Sequence, residues 1–279
     1  MQEIIYQDKT KLEEILEKIK SDGLDNLHIL ADFDKTMTKA FSAGKKRPSL
    51  ISVLRSEGYL SEEYSHKAYE LYDYYNPIEI DPKIDLETKK QEMTIWWNKH
   101  LDLLVASGLH KKDIQSIIDS RLIELREGVK DFLRFLSENN IPLVIISANG
   151  LGTDSIEIYL EKEGFLTPNI KIISNEFIWD TKGNAIGYDK RVIHVFNKDE
   201  TVLHEFPEIY SQIENRKNVI LLGDSLGDVG MIEGFGYNNL LKIGFLNNNE
   251  EELLEEYKKN YDIVLTGDND ALILKDLFK

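Results

Sequence analysis

Five short apolar runs rich in β-branched residues constrain the fold of this chain more than any other feature of its sequence. Continuous apolar runs of this kind are typical of strands buried on both faces, as in parallel sheets. Helical patterns, such as those at 129–137 and 156–163, separate most of them, and a stretch at 177–195 centred on Lys182-Gly183-Asn184 predicts a β-hairpin. The alternation predicts a layered α/β fold around a parallel sheet. The five runs lie at 28–31, 142–146, 170–173, 219–222 and 263–265.

A long stretch between the first two runs interrupts this alternation, because it holds helical patterns and no strand-like run. Apolar side chains from Met93 to Val105 recur at helical spacing and form one stripe, and Gly108 follows as a stop signal. We therefore predict an all-helical domain at residues 38–126. It is inserted after the first strand of a core that consists of residues 1–37 and 127–279.

The charge balance narrows the classes of partner. Lysine and arginine number 34 against 50 aspartates and glutamates, so the formal net charge is −16, and a field of this sign repels nucleic-acid backbones and anionic lipid. The chain has no cysteine, which excludes disulfides, thiolate catalysis and cysteine-ligated metals. No apolar run approaches the roughly 20 residues of a membrane span, and the N-terminal residues lack a signal-peptide pattern. We expect a soluble cytoplasmic protein.

Two pairs of aspartates follow predicted strands, at the place where open α/β sheets bind their ligands. Asp32 and Asp34 come directly after the first strand, where one carboxylate could attack while the other transfers a proton. Asp224 and Asp228 follow the run at 219–222 and suit a hard cation with oxygen ligands. Taken alone, each pair is also compatible with a solvated acidic loop. Together, the two pairs favour a functional site over two solvated loops, because acidic groups at the ends of neighbouring strands repel one another unless a cation or a function holds them.

A candidate phosphate site accompanies the aspartates. Ser147 ends the second strand, and a hydroxyl beside backbone N–H groups at a helix N-terminus can bind phosphate. Lys198 could supply a compensating positive charge. By themselves, however, one serine and one lysine are ordinary surface residues. His194, which ends a strand-like run just before Lys198, is expected to be structural.

In this order, the motifs resemble those of the haloacid dehalogenase superfamily, in its phosphatase branch; they are Asp32-Phe33-Asp34-Lys35-Thr36, Ser147, Lys198 and 223–228. A closer resemblance, from about Leu27 to the C-terminus, is to the cytosolic pyrimidine 5′-nucleotidase family (type III). It implies a Rossmann-like core with the helical insertion as its cap. The segments that carry it are 31–36, 78–82, 193–198, 221–228, 241–247 and 261–265.

The resemblance implies catalytic and metal-binding roles. Asp32 would be the nucleophile that forms an aspartyl-phosphate. Asp34 would protonate the leaving oxygen and later deprotonate the attacking water. Mg²⁺ would be held by the carboxylates of Asp32 and Asp224 and by the backbone carbonyl of Asp34. Asp228 would lie outside this set and orient either a metal-bound water or Lys198.

The resemblance also implies how substrate is bound. Ser147, the amide of Ala148 and Lys198 would contact the phosphoryl oxygens, and Glu79 in the cap would contact the base. Independently of the resemblance, a phosphomonoester is close to a dianion at neutral pH, so a carboxylate can approach it only where cations neutralise the charge.

The chain departs from the family pattern at two positions. Asn149 stands where glycine usually follows Ser-Ala, and Trp97 stands where one cap aromatic is usually tyrosine. We expect the amide geometry at the phosphate and the selectivity for the base to differ accordingly.

The sequence thus predicts a Mg²⁺-dependent 5′-nucleotidase for pyrimidine nucleoside monophosphates such as UMP and CMP, with 7-methyl-GMP left open as a substrate. One alternative is a phosphatase for another small phosphomonoester, such as phosphoserine or a sugar phosphate. The other is a non-catalytic nucleotide-binding protein, against which the intact acidic motifs argue. We expect a monomer whose partner is a small nucleoside monophosphate, with no nucleic-acid polymer and no membrane.

Overall fold

A sheet of seven strands organises the chain in the computed structural model, which describes residues 3–42, 45–81, 83–198, 203–267 and 269–278. The first strand, β1, pairs with its neighbour antiparallel, and all the other neighbours are parallel. The predicted α/β fold with a parallel-sheet core is confirmed. In spatial order the strands are β1 (Ile4–Tyr6), β11 (Ile263–Thr266), β10 (Asn239–Leu246), β9 (Asn218–Gly223), β2 (Leu27–Ala31), β5 (Leu143–Ile146) and β6 (Ile170–Ile173).

Helices cover both faces of this sheet. Successive side chains of a strand point to opposite faces, and accordingly Ile29 belongs to one hydrophobic cluster and Leu30 to the other. Burial on both faces explains why these strands are apolar without alternation. The first cluster includes residues of α1 (Lys9–Asp22), α6 (Val129–Glu138), α7 (Gly152–Lys162) and α10 (Ile273–Asp276); the second includes residues of α8 (Pro207–Ile213) and α9 (Glu250–Asn260).

The helices of the predicted insertion all lie between β2 and β5 in the chain: α2 (Leu50–Ser56), α3 (Glu62–Ile80), α4 (Leu86–Ala106) and α5 (Lys111–Asp119). The Ser61 hydroxyl caps α3 by accepting from the backbone N–H of Tyr64 at 3.2 Å. Gly108 follows the end of α4 with a φ of 76°, a left-handed value that suits glycine. The insertion is not entirely helical, in contrast to the prediction from the sequence. In it, β3 (Phe41–Ser42) and β4 (Lys45–Lys46) form a two-residue antiparallel ladder.

The predicted hairpin is present as β7 (Phe177–Trp179) and β8 (Ala185–Tyr188). It contacts the insertion, since the Tyr188 hydroxyl donates to the backbone carbonyl of Asn98 in α4 at 3.3 Å. Among the described residues, no helix is long and apolar enough to cross a membrane.

Candidate active site

The topology brings three predicted site residues to one edge of the sheet. β9, β2 and β5 are neighbours and run parallel, so their carboxyl ends meet. Asp224, Asp32 and Ser147 each follow one of these ends. This is the crevice in which ligands of open α/β sheets bind.

Three carboxylates converge in this crevice. Asp32, Asp224 and Asp228, hereafter the aspartate cluster, each place one carboxylate oxygen within 4.8 Å of the others. Lys198 is 4% exposed, and its ammonium donates to Asp32 Oδ1 and, at 2.9 Å, to Asp228 Oδ1. The sequence motifs at 32–36, 198 and 223–228, far apart in the chain, therefore form one buried ionic site.

Asp228 has little capacity left for a further partner. Its Oδ1 accepts from Lys198, and its Oδ2 accepts from the Asp224 amide at 3.1 Å and from the Ser225 amide and hydroxyl, both at 2.9 Å. These bonds anchor the turn after β9 and hold Lys198 in place. An orienting role for Asp228 fits this arrangement better than direct ligation.

The electrostatics of the cluster favour a cation. Burial raises the pKa of Asp224 to about 7, and the neighbouring charge of Asp228 adds to the rise. Burial also raises the pKa of Asp32, against the opposing effect of Lys198. For Lys198, burial lowers the pKa, but the carboxylates of Asp228 and Asp32 outweigh it and the net shift is upward. Three carboxylates and one ammonium leave two negative charges, which a divalent cation with oxygen ligands would balance.

Asp34 lies beside the cluster in a different environment. Its Oδ1 is buried and has no hydrogen-bond partner, and burial raises the pKa of its carboxyl. The charge of Lys35 and the backbone N–H of Leu50, the first residue of α2, oppose this rise in the pKa. A carboxyl that holds a proton above its ordinary range is suited to act as a general acid.

A buried arginine that sequence analysis missed supports the loop after β2. Arg126 is 2% exposed and donates to the backbone carbonyls of Thr36 at 2.9 Å and of Lys35. It also donates to Asn247 Oδ1 at 2.6 Å, and Asn247 Nδ2 lies 3.5 Å from Asp224 Oδ2. The arginine thus ties the loop that carries Asp32 and Asp34 to the loop that carries Asp224.

Two tyrosines of the segment 250–261 fix the other side of the aspartate cluster, and sequence analysis missed both. The Tyr257 hydroxyl donates to the Asp224 carbonyl at 2.5 Å, and the Tyr261 hydroxyl donates to the Ser225 carbonyl. Both hydroxyls donate to backbone carbonyls, and a search of the sequence for catalytic side chains does not identify residues of this kind.

The loop after β5 is closed by its own polar groups. Ser147 is 1% exposed, and its carbonyl accepts from the Ser174 hydroxyl at 2.8 Å. Asn149 Oδ1 accepts from the Leu151 amide at 2.8 Å, while the Asn149 side-chain nitrogen is buried without a partner. Ala148, between them, is half-buried. The residue that departs from the family pattern therefore shapes this loop.

A cavity of about 600 Å³ lies between the loop after β2 and helices α2 to α4. Glu79 lines it, with a carboxyl whose pKa is raised by burial and whose Oε2 accepts from Asn76 Nδ2 at 3.3 Å. We call this space the Glu79 cavity. It is separate from the aspartate cluster but shares Lys35 with the loop that follows Asp32; other lining residues are Arg47, Arg55, Tyr72, Trp96 and Trp97.

Arg55 is a further cavity residue that sequence analysis did not single out. Its guanidinium lies over the rings of Tyr69 and Tyr72, at 4.9 and 4.5 Å from their centroids. Its Nε is buried without a hydrogen-bond partner, and no described carboxylate pairs with it. A positive group with free donors in this wall favours an anionic or carbonyl-bearing ligand.

Trp97 connects this cavity to the loop after β5. A Cβ atom on Gly150 would lie 2.8 Å from Trp97 Cζ3, so only glycine admits the indole at this point. Trp97 also stacks on Trp96, with ring centroids 5.9 Å apart.

Comparison with known proteins relates this chain to 5'-nucleotidases. A family model described as "Pyrimidine 5'-nucleotidase (UMPH-1)" matches residues 35–279. A Mus musculus protein named 7-methylguanosine phosphate-specific 5'-nucleotidase is 36% identical over 277 residues, covering 99% of this chain and 91% of the mouse protein. A crystal structure of cytosolic 5'-nucleotidase IIIB bound to cytidine has a TM-score of 0.87 at 30% identity, covering 99% of this chain and 91% of the other. Substrate-bound phosphoserine phosphatase, at 18% identity, covering 91% of this chain and 98% of the other, and with a TM-score of 0.53, shares the fold.

Proposed function

The chain belongs to the pyrimidine 5′-nucleotidase (UMPH-1) family and is a phosphoric monoester hydrolase with the haloacid dehalogenase fold, and we propose that its substrates are nucleoside 5′-monophosphates. The observation that carries the proposal is the aspartate cluster with Lys198, together with a cavity that has room for a nucleoside and is lined by Lys35 of the loop that follows Asp32. Residues 38–126 would be the cap over a core of residues 1–37 and 127–279. The names of the relatives favour a cytoplasmic location.

We propose Mg²⁺ as the cation of the aspartate cluster. The carboxylates of Asp32 and Asp224 and the carbonyl of Asp34 would hold it, while Asp228, whose oxygens already accept four hydrogen bonds, would orient Lys198. When bound, the cation supplies charge neutralisation for the incoming phosphoryl dianion.

The side chains then divide the chemistry. An oxygen of Asp32 attacks phosphorus, so that a bond to Asp32 forms while the bond to the ribose O5′ breaks. Asp34, which burial keeps protonated above its ordinary range, gives its proton to O5′ and takes one from the water that later hydrolyses the aspartyl-phosphate. Lys198 Nζ, the Ser147 hydroxyl and the Ala148 amide bind the phosphoryl oxygens throughout.

The Glu79 cavity would select the base. Cytosine presents an exocyclic amine, and 7-methylguanine presents two adjacent N–H groups on a ring that carries positive charge. Both suit a carboxylate acceptor beside indole rings, and a cationic ring gains further from the indole π-face. Uracil presents a carbonyl where cytosine has its amine. We therefore propose CMP and 7-methyl-GMP ahead of UMP as substrates.

A substrate panel tests the proposal. Phosphate release with Mg²⁺ should be fastest for CMP and 7-methyl-GMP, slower for UMP, and slowest for ribose 5-phosphate and phosphoserine. Equal rates on ribose 5-phosphate and CMP would favour a general phosphatase. Binding of nucleotide without any phosphate release would favour a non-catalytic protein.

A further inference from the structure

The segment Val192–Lys198, hereafter the 192–198 turn, delivers Lys198 to the active site and is built by its own side chains. Asn197 Oδ1 accepts from the His194 amide at 2.7 Å, and Asn197 Nδ2 donates to the Val192 carbonyl at 2.8 Å. His194 Nδ1 accepts from the Phe196 amide at 3.2 Å. The position of Lys198 therefore depends on where this turn is held.

One side of the turn is fixed to the core. Asn175 Oδ1 accepts from the Ile193 amide at 2.9 Å, and Asn175 Nδ2 donates to the carbonyls of Ile193 at 3.1 Å and of Asn149 at 3.2 Å. Asn149 belongs to the loop that carries Ser147. The two phosphate-binding segments of the core are thus linked directly.

The other side of the turn contacts helix α4. His194 is 1% exposed, and its Nε2 lies 3.1 Å from the Thr94 hydroxyl. Because Nδ1 accepts a hydrogen bond, the ring proton is on Nε2 and is donated to Thr94. The Thr94 hydroxyl in turn donates to the Lys90 carbonyl at 2.8 Å, so its oxygen is free to accept. Each group therefore has one consistent role: His194 Nδ1 accepts, His194 Nε2 donates, and the Thr94 hydroxyl both accepts from His194 and donates to Lys90.

Phe196 makes a second contact with the same helix. It packs against the buried cluster of Tyr75, Met93 and Trp96, and Trp96 lines the Glu79 cavity. The ammonium of Lys89 lies 5.3 Å from the centroid of the Phe196 ring and donates to the Glu79 carbonyl at 2.9 Å. The residues around the proposed base site therefore touch the turn that holds the phosphate lysine.

We propose that His194 and Phe196 are positioning residues that couple occupation of the Glu79 cavity to the placement of Lys198. This inference rests on the proposed function, since it assumes that Lys198 contacts the phosphoryl group. A base bound in the cavity holds α4 against the turn, and the turn holds the ammonium where the phosphoryl charge develops. Contacts to the remote part of the substrate then raise kcat as well as affinity.

Thr94 permits a conservative test, because valine has the shape of threonine without the hydroxyl. Thr94→Val removes the bond from His194, and Thr94→Ser retains it. His194→Asn keeps an acceptor for the Phe196 amide but does not reach Thr94. Ile95→Ala, at a neighbouring side chain that is 43% exposed, is the matched control.

The expected result is a split between substrates in steady-state kinetics with Mg²⁺. Thr94→Val and His194→Asn should each lower kcat for CMP roughly three- to tenfold, with little change in kcat for ribose 5-phosphate. The double variant should be no worse than either single variant, because both remove the same bond. Thr94→Ser should recover most of the loss, and Ile95→Ala should behave as wild type.

A readout other than activity accompanies the kinetics. In protein with ¹⁵N-labelled histidine, the His194 ring should be the Nε2-protonated tautomer in wild type and should show exchange with the other tautomer in Thr94→Val. Equal loss on CMP and ribose 5-phosphate, or wild-type kcat in Thr94→Val, would overturn the coupling. A wild-type protein inactive on every phosphomonoester would instead refute the proposed function, and this inference with it.

Discussion

At the scale of single residues, the site depends on side chains that serve two partners at once. Lys198 bridges Asp32 and Asp228, and Asp228 also holds the backbone of the turn after β9. A buried charge is tolerated where its partners are fixed and fully bonded. Substitutions here are therefore expected to affect chemistry and geometry together, unless the new side chain keeps the hydrogen bonds.

Asp32→Asn keeps the hydrogen bond, because an amide retains one oxygen that can accept from Lys198. An amide is a poor nucleophile, so kcat for CMP should fall to no more than about a thousandth of wild type, with the fold intact. Phosphate release and circular dichroism measure the two effects. Beryllium fluoride with Mg²⁺ should inhibit the wild type, as a mimic of phosphorylated Asp32. An active Asp32→Asn variant would exclude the covalent mechanism.

Glu79→Gln tests recognition of the base at nearly constant shape. The neutral amide loses the charge that attracts an amine or a cationic ring, so kcat/KM should fall about ten- to a hundredfold for CMP and 7-methyl-GMP. Ribose 5-phosphate, which has no base, should be unaffected and controls for damage to folding or chemistry. If all three substrates lose rate in parallel, Glu79 is structural.

The pH dependence of the same comparison has a definite sign. Burial raises the pKa of Glu79, against hydrogen bonding from Asn76 and the charges of Lys35 and Lys89. As the pH falls through that raised pKa, Glu79 takes up a proton and accepts hydrogen bonds less well. The ratio of kcat/KM for CMP to that for ribose 5-phosphate should therefore fall at a pH above the ordinary glutamate value of about 4.3. In Glu79→Gln this inflection should be absent.

Sequence analysis found the residues that carry reactive groups and missed the residues that support them, most of which bond to backbone. Asp32, Lys198 and Asp224 stand beside strand ends or in recognisable motifs, and the structure brings all three together. Arg126 gives no such signal, because its acceptors are carbonyls 90 to 143 residues away in the chain. The roles assigned to the site residues stay predictions until the variants are measured.

At the scale of elements, a strand was predictable where its apolar run is continuous or holds a single polar residue. The runs in β5, β9 and β11 are unbroken, since both faces of the sheet are covered, and those in β2 and β6 contain one polar residue each, His28 and Lys171. β10 was missed although it spans eight residues, because Lys242 and Gly244 interrupt its pattern. β1 was missed because it is three residues long and joins only the edge of the sheet.

Gly244 shows why that interruption is required. A Cβ atom there would lie 2.6 Å from the Tyr261 ring, and the Tyr261 hydroxyl bonds to the Ser225 carbonyl beside the aspartate cluster. Gly244→Ala should therefore displace the ring, lower the free energy of unfolding by about 1–3 kcal/mol and raise the Mg²⁺ concentration needed for activity. Denaturant unfolding and a Mg²⁺ titration measure the two effects.

Gly236→Ala is the matched control for this substitution, because a Cβ atom there meets only the Lys217 ammonium, at 3.9 Å. It should leave both measurements unchanged. A Gly244→Ala protein with wild-type Mg²⁺ dependence would show that Tyr261 does not position the turn after β9.

At the scale of the whole molecule, the charge of the chain and the charge of the Glu79 cavity have opposite signs. The chain carries a formal net charge of −16, yet Lys35, Lys46, Arg47 and Arg55 all line the Glu79 cavity. This local reversal is what an anionic substrate needs in an acidic protein. The aspartate cluster remains negative until a cation binds, so the cation is expected to stabilise the whole fold as well as to serve the reaction.

The stability of the whole chain should therefore depend on Mg²⁺. A ligand that binds only the folded state adds about 2.7 kcal/mol of stability at about 100 times its Kd, so Mg²⁺ should raise the Tm and EDTA should lower it, with loss and recovery of activity in parallel. Asp224→Asn makes the test specific. It removes one of three mutually repelling carboxylates, so without Mg²⁺ this variant should melt above the wild type. With Mg²⁺ the order should reverse, because the variant has lost a ligand. The reversal is measured by thermal unfolding at several Mg²⁺ concentrations, and a parallel rise in both proteins would place the cation elsewhere.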